Sequence, residues 1–293
     1  MAIRRTLGEQ AFDLTNGFFL ILASLATVYP FLYVTFASLS DPAKMVAHTG
    51  PLLVPYGLHF GSYKMVIDNP MIGLGYRNTL LYLALGTCIN LLLTSFAAYG
   101  LSRRELFWRK PLTFLVVFTM FFSGGLIPYF LMVRNLGLVN TRAAMILPTA
   151  INTWNFIVMR TYFSSIPQSL EESARIDGAG DFRILFQIMI PLAFPVVAVM
   201  ILFYGVAHWN AWFNAMIFLR KRDLYPLQLI LREILISSST DNMLTDVAAL
   251  DKEPVAETVK YATIITATVP ILFVYPFLQK YFVKGMLIGA IKE

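Results

Sequence analysis

Charge is scarce in this sequence. Only 14% of its 293 residues are Asp, Glu, Lys or Arg, where soluble domains carry about 25%. So little charge cannot coat a water-facing globule. Hydrophobic residues make up 57% and the mean hydropathy is +0.65, so lipid is the natural solvent for the excess. Cysteine is nearly absent. Cys88 alone excludes an intrachain disulfide, and its apolar setting reads as that of a buried small hydrophobe. Catalytic motifs are missing too. There is no His-Glu-x-x-His, no Gly-x-Ser-x-Gly, no carboxylate pair within an apolar run and no phosphate-binding Gly-x4-Gly-Lys-Ser/Thr loop. The chain reads as no enzyme, and ATP hydrolysis, if used, belongs to another chain. The three histidines, His48, His59 and His208, are too dispersed for a metal site. The net charge is +6, but the basic residues form no dense stripe, which argues against nucleic acid.

What is present is a series of long apolar runs. Six stretches are long enough to span a bilayer, at about 17–39, 79–101, 112–133, 143–163, 184–206 and 261–278. Backbone polar groups must be satisfied inside hydrocarbon, and the alternation of a barrel is absent, so the spans are predicted to be helices. The expected fold is all-α, a single polytopic transmembrane domain over residues 1–293. The run at 17–39 is too long for the apolar region of a cleaved signal and reads as a retained first span. Arg103, Arg104, Arg109 and Lys110 sit in one short connection, which places it in the cytoplasm. Alternation then puts the N-terminus with Arg4 and Arg5, the loop at about 164–183, and Lys280, Lys284 and Lys292 inside as well. Arg220, Lys221 and Arg222 fall outside, against the rule. The outer segment 207–260 also carries Asp241, Asp246, Asp251, Glu253 and Glu257. Pro30, Pro148, Pro191, Pro195, Pro270 and Pro276 punctuate the spans and are expected to kink them.

The loop at 164–183 is the most informative segment. Ser165 with Gln168 fits a capping box. Glu171 and Glu172 follow early in the helix, where its dipole favours them. Glu171 and Arg175 form an i, i+4 pair. Gly178 and Gly180 can end the helix in a left-handed turn, and Asp181 can cap the next one. A short capped helix of this kind can dock in a groove on a partner. On spacing alone, an ordinary solvated loop helix fits equally.

Glu172, Ser173 and Ala174, then three residues, Gly178, nine residues, and Ile188, Met189, Ile190 and Pro191 resemble the EAA motif of ABC importer permeases. The family pattern is Glu-Ala-Ala, x3, Gly, x9, Ile-x-Leu-Pro. Ser173 and Ile190 depart from it by small changes in volume. The resemblance continues at Asn78, Thr79 and Leu80, at 122–128, at 208–214, at 225–228 and at 281–285. It points to a type I carbohydrate importer of the maltose type, in its polysaccharide or alginate-like subgroup. Such an importer sits in the bacterial inner membrane. It pairs a permease with a homologous second permease and with two ATP-binding cassette subunits. An extracytoplasmic sugar-binding protein delivers the substrate. This chain is then expected to bind no cofactor, ATP and Mg2+ being used by the partner ATPase. The resemblance makes the helix around the motif the coupling helix, with Glu172, Ala174 and Gly178 at contact and turn positions. Glu171, Ser173, Arg175 and Asp177 flank them, and Pro191 ends the motif in the following span.

Sugars are recognised by amides that bond hydroxyls and by aromatic faces against C–H surfaces. Asn90, Asn152, Trp154 and Asn155 within spans, and His208, Trp209, Asn210, Trp212 and Asn214 near the outer end of the fifth, are the candidate substrate-pathway residues. Asn bridging helices and Trp in the interfacial belt fit the same positions. Arg220, Lys221 and Arg222 could draw in an anionic sugar, or bind lipid headgroups or a partner loop. An ion-coupled secondary transporter of a small solute is the alternative. Such carriers usually place ionisable residues in their spans and show inverted repeats, and these runs have almost none of the first and no visible sign of the second.

Overall fold

The computed structural model describes residues 6–241 and 253–290. Arg4, Arg5, Asp246, Asp251 and Lys292 lie outside the described residues. In chain order the helices are α1 (Leu7–Leu39), α2 (Pro42–Val46), α3 (Gly61–Asp68), α4 (Pro70–Ser102), α5 (Arg109–Phe121), α6 (Leu126–Asn135) and α7 (Thr153–Ser165). There follow α8 (Gln168–Ile176), α9 (Asp181–Ile184), α10 (Ile190–Leu192), α11 (Phe194–Trp209), α12 (Trp212–Phe218), α13 (Leu227–Asp241) and α14 (Glu253–Ala290). Short 3-10 turns occupy Arg142–Met145, Leu147–Thr149 and Arg222–Leu224, and a π turn joins α9 to α10. No strand occurs among the described residues. They group into two compact units, drawn from 1–69 with 233–269 and from 70–232 with 270–293.

In the first unit, α1 begins on a capping box. Thr6 Oγ1 accepts from the Glu9 N–H at 3.3 Å, and the Glu9 carboxylate accepts from the Thr6 N–H at 2.8 Å. Phe18, Phe19, Leu20 and Ile21 are exposed. Thr15, Ser24 and Thr35 fold their hydroxyls back onto carbonyls four residues earlier. The surface of α1 is therefore compatible with lipid. Its last turns pack instead. Ala37 meets Met45 and Leu52, with Tyr33, Phe36 and Tyr261 against them. Ser62 donates to Thr258 Oγ1 on α14 at 2.9 Å.

The second unit is organised on α4. Its buried side is unusually polar, with Asn78, Thr79, Asn90, Thr94 and Ser95 all buried. Small and hydrogen-bonding side chains let α7 and α11 approach this helix closely. Ala98, Tyr99, Phe156, Met159, Ile184, Met189 and Met200 form the apolar core that these three helices share with α9 and the π turn. Cys88 lies on the other side of α4 and is exposed, not buried as its composition suggested. An exposed position on an apolar helix suits lipid as well as a core does.

The predicted spans meet the structure unevenly. Three helices are continuous and apolar enough to cross: Leu7–Leu39, Pro70–Ser102 and Glu257–Val274 within α14. Two further spans are bent. The chain bends by 120° between α5 and α6, and by 87° between Asp181–Leu192 and α11. The stretch 143–163 is not one helix. It passes through two 3-10 turns before α7, whose 13 residues reach only about 20 Å. Counting each bent pair as one span gives up to five candidates among the described residues. Pro148 explains part of the break in the fourth stretch, because it lies in the second 3-10 turn and cannot donate to a continuing helix. Pro191 and Pro195 flank the break at Ala193. Pro30, Pro270 and Pro276 lie inside unbroken helices.

The bend between α5 and α6 rests on Gly125, at φ +83°. A β-branched residue is strained there by about 1–3 kcal/mol. Gly125→Val is expected to lower the thermal unfolding midpoint of the detergent-solubilised protein. An unchanged midpoint would mean that the bend does not depend on this backbone conformation.

Candidate functional site

The coupling-type loop is built differently at its two ends. Ile166 precedes Pro167, and a residue before proline is pushed out of the helical region. α7 therefore ends at Ser165, and α8 starts beyond Pro167, which stands at the cap with no side-chain bond. The expected Ser165–Gln168 capping box does not form. Ser165 Oγ donates back to the Tyr162 carbonyl at 2.7 Å. The C-terminal end is the expected glycine turn. Gly178 has φ +81°, its N–H donates to the Arg175 carbonyl at 3.0 Å, and the Ala179 N–H donates to the Ala174 carbonyl at 2.9 Å. These two bonds make a Schellman motif. Asp181 is the first residue of α9, not its cap, because Gly180 takes the cap position. The Asp181 carboxylate instead accepts from Arg175 Nη2 at 2.7 Å.

The two faces of α8 then separate cleanly. Glu171 and Ala174 turn inward. Ala174 joins the core containing Ala98, Tyr99 and Phe163, so it is not an outward contact. Glu172, Ser173 and Asp177 are exposed, Arg175 is exposed within its ion pairs, and Ile176 is 87% exposed. Pro191 lies away from the loop, in α10.

Glu171 is the anchor of the inward face. It is buried, pairs with Arg103, accepts from the Tyr99 hydroxyl at 3.2 Å and meets Arg175 Nη2 at 3.4 Å. The Arg103 guanidinium also lies 4.1 Å over the Tyr99 ring. Burial lowers the Arg103 pKa from the usual arginine range, Tyr99 and Asp181 oppose that, and Arg175 adds to it. One carboxylate thus ties α8 to the end of α4. Arg160 on α7 adds a second tie, donating from Nε to the Leu101 carbonyl at 2.9 Å.

A cavity of about 800 Å³ lies between α4, α7, α11 and the start of α12. Asn90, Asn152, Trp154, Asn155, Asn210 and Asn214 all line it. Trp209 does not. It is buried against Tyr76, with ring centroids 6.3 Å apart. The lining holds no Asp, Glu, Lys or Arg.

The amides lining it do different work. Asn90 Nδ2 donates to the Thr149 carbonyl at 2.7 Å, so its Oδ1 faces His208 Nε2 at 2.9 Å, and that nitrogen carries a proton. Asn90 and His208 are therefore committed to bridging helices. A Cβ at Gly86 would overlap the His208 ring, which is why glycine lets α4 and α11 come together. Asn152 caps α7, its Oδ1 accepting from the Asn155 N–H at 3.1 Å. Its own N–H donates to the Tyr204 hydroxyl at 3.2 Å, which shares a 2.7 Å bond with Thr94. His208 lines the cavity as expected, while Tyr204 and Thr94 were not singled out as pathway residues. Their signal in the sequence is one hydrogen-bonding side chain amid apolar neighbours, which single-residue reasoning cannot distinguish from an isolated core group.

At the opposite end of α4 from Glu171, the chain holds a rigid loop. Asn78 Nδ2 donates to the Asp223 and Tyr225 carbonyls at 2.8 and 3.0 Å, and the Tyr82 hydroxyl donates to the Leu224 carbonyl at 2.8 Å. The Leu227 N–H donates to Thr79 Oγ1 at 2.9 Å. From Tyr82 to Tyr99 the rise is about 26 Å, close to the hydrocarbon thickness. Asn90 and the cavity therefore fall near the middle of the span.

Removing one member of a buried ion pair leaves the other uncompensated, at a cost of about 3–5 kcal/mol. Glu171→Ala is expected to destabilise the chain on that scale, read as a lowered unfolding midpoint. Glu171→Ala combined with Arg103→Met is expected to recover part of the loss. Strict additivity of the two single changes would show that they are not coupled.

Residues 71–288 match a family model described as the binding-protein-dependent transport system inner membrane component. The polygalacturonan/rhamnogalacturonan transport system permease protein YtcP of Bacillus subtilis is 42% identical over 286 residues, covering 97% of this chain and 99% of the relative. Protein LplC of the same organism is 38% identical over 290 residues, covering 99% and 98%. A solved chain, from a bacterial ABC transporter involved in the import of the acidic polysaccharide alginate, superposes with a TM-score of 0.87. It is 34% identical and covers 96% of this chain and 100% of that one. The matched stretch takes in α4, the loop around α8 and the whole cavity wall, and the chain belongs to the family of inner membrane components of binding-protein-dependent transport systems.

Proposed function

We propose that this chain forms half of the translocation pathway of an ATP-driven importer of oligo- or polysaccharides. The observation that carries this reading is the mid-membrane cavity lined by carboxamides and aromatic rings and by no formal charge. Hydroxyls are matched by amides, and sugar C–H faces by Trp154 and Phe213. The named substrates of YtcP and of the alginate importer support the saccharide class and favour an acidic one.

The rest of the pathway comes from a homologous second permease, and an extracytoplasmic binding protein delivers the saccharide. Two ATP-binding cassette subunits supply the energy, using ATP and Mg2+. They dock on the exposed face of α8, where Glu172, Ser173 and Ile176 are free to meet a groove. Its inward face is held by Glu171, so a push on α8 is passed to α4 and to the cavity wall. In this reading the N- and C-termini lie in the cytoplasm with α8.

The reading is tested by reconstituting the full complex in vesicles. Uptake is expected to require ATP and both cassette subunits. Uptake driven by an ion gradient without them would overturn it in favour of a secondary carrier. Within the cavity, Asn155 gives a cleaner test than Asn152, whose loss also uncaps α7 at about 1 kcal/mol. Asn155→Ala is expected to raise KM for saccharide uptake about tenfold, the equivalent of one lost hydrogen bond. An unchanged KM would remove Asn155 from the pathway.

A further inference from the structure

The cavity poses a charge problem for an acidic saccharide. None of its lining residues carries a formal charge, and a carboxylate leaving water needs a counter-charge or its hydration. Arg142 and Arg160 are nearer along the chain but are engaged, Arg160 with the Leu101 carbonyl and Arg142 with Tyr82; the next cationic group is Arg220, Lys221 and Arg222. α12 connects the two places, since Phe213 and Asn214 line the cavity and Arg220 follows the end of the same helix. The rise from Phe213 to Arg220 is about 10 Å.

This basic group is held rigidly by bonds that leave Arg220 and Lys221 side chains unused. The Arg220 and Lys221 N–H groups both donate to Asn140 Oδ1 at 3.0 Å. Asn140 takes a left-handed φ of 63°, a conformation asparagine tolerates better than most residues, and its N–H donates to the Phe218 carbonyl at 2.7 Å. Asn78, Thr79 and Tyr82 fix residues 223–227 from below. Arg220 and Lys221 are exposed.

The loop covers one side of α4. Thr79, Gly86 and Asn90 are separated by seven and four residues, which places them on a single helical face. That face carries the loop at Thr79, His208 at Gly86 and the cavity at Asn90. The basic group thus lies over the pathway side of α4 and not over the side that bears the exposed Cys88. It also lies at the end of α4 remote from α8, which is the outside if α8 meets the ATPase. Positive charge there runs against the usual distribution in membrane proteins.

We propose that Arg220 and Lys221 form an anion-selecting rim at the outer mouth of the pathway. They receive the carboxylates of a uronate-bearing saccharide before its sugar rings pass to the uncharged cavity. Charge is read at the wet rim, where attraction speeds capture without a deep trap, and ring shape is read inside. This rests on the saccharide-importer reading above.

The test uses the complete transporter in vesicles, with oligogalacturonate delivered by its binding protein. Wild type is expected to lose uptake efficiency as salt rises. Arg220→Gln with Lys221→Gln is expected to lower kcat/KM about tenfold at low salt and to flatten that salt dependence. Arg220→Lys is expected to restore most of the loss, because charge and not shape is read. Affinity of the unloaded binding protein for the complex is expected to be unchanged. Three results would overturn the rim: wild-type efficiency and salt dependence in the double variant; an equal loss of affinity for unloaded binding protein, which would make this a protein-docking surface; or a lost dependence on anionic lipid with saccharide uptake intact, which would make it a headgroup site. If no loaded saccharide stimulates ATP-dependent uptake in wild type, the importer reading itself fails, and that outcome is separate from all three.

Discussion

A backbone amide or carbonyl in hydrocarbon must find a partner within the protein, and among the described residues three of the apolar stretches are broken. Much of the cavity wall in the second unit follows from how one of those breaks is satisfied. At the fourth apolar stretch, Asn90 takes the Thr149 carbonyl, the Tyr204 hydroxyl takes the Asn152 N–H, and Asn152 takes the Asn155 N–H. Asn90, and Thr94 through Tyr204, are the residues of the polar stripe on α4 that reach those groups. Thr149 and Asn152, in the irregular backbone of this stretch, line the cavity, where such backbone is tolerated.

α4 serves as a beam with work at both ends. Its C-terminal end holds α8 through Glu171 and Arg103. Its N-terminal end holds the 219–227 loop through Asn78, Thr79 and Tyr82. The cavity hangs at its centre. Buried ion pairs contribute little net stability, so the Glu171 cluster is better understood as a device that fixes where α8 points. Glu172, Ser173 and Ile176 are left on its exposed side.

Much of this was legible in residue order. The Gly178 turn followed from two glycines after a helical run, and seven of the nine pathway candidates line one cavity because polar side chains are too costly in lipid to face it. Other features were not legible. Ser165 looked like a cap but lies on the wrong side of the Ile166–Pro167 bend. Asp181 looked like a cap but serves Arg175. Trp209 looked like a pathway aromatic but packs on Tyr76. In each case the local pattern admitted two uses, and a neighbour distant in sequence selected one.

The sequence by itself determined the solvent, the helical class, the loop with its glycine turn and the family resemblance. Composition, run length and motif spacing are local properties, and the need to satisfy backbone in lipid leaves few alternatives. Only the tertiary structure decided which of two carboxylates, Glu171 or Glu172, faces inward. Only it showed that Asn90 bridges helices while Asn155 opens on the cavity, and that 143–163 is broken and not a single rod. Those outcomes depend on which helices lie side by side. That is settled by steric fit at Gly86 and by hydrogen bonds across 59 to 148 residues, distances at which sequence pattern carries no geometric information.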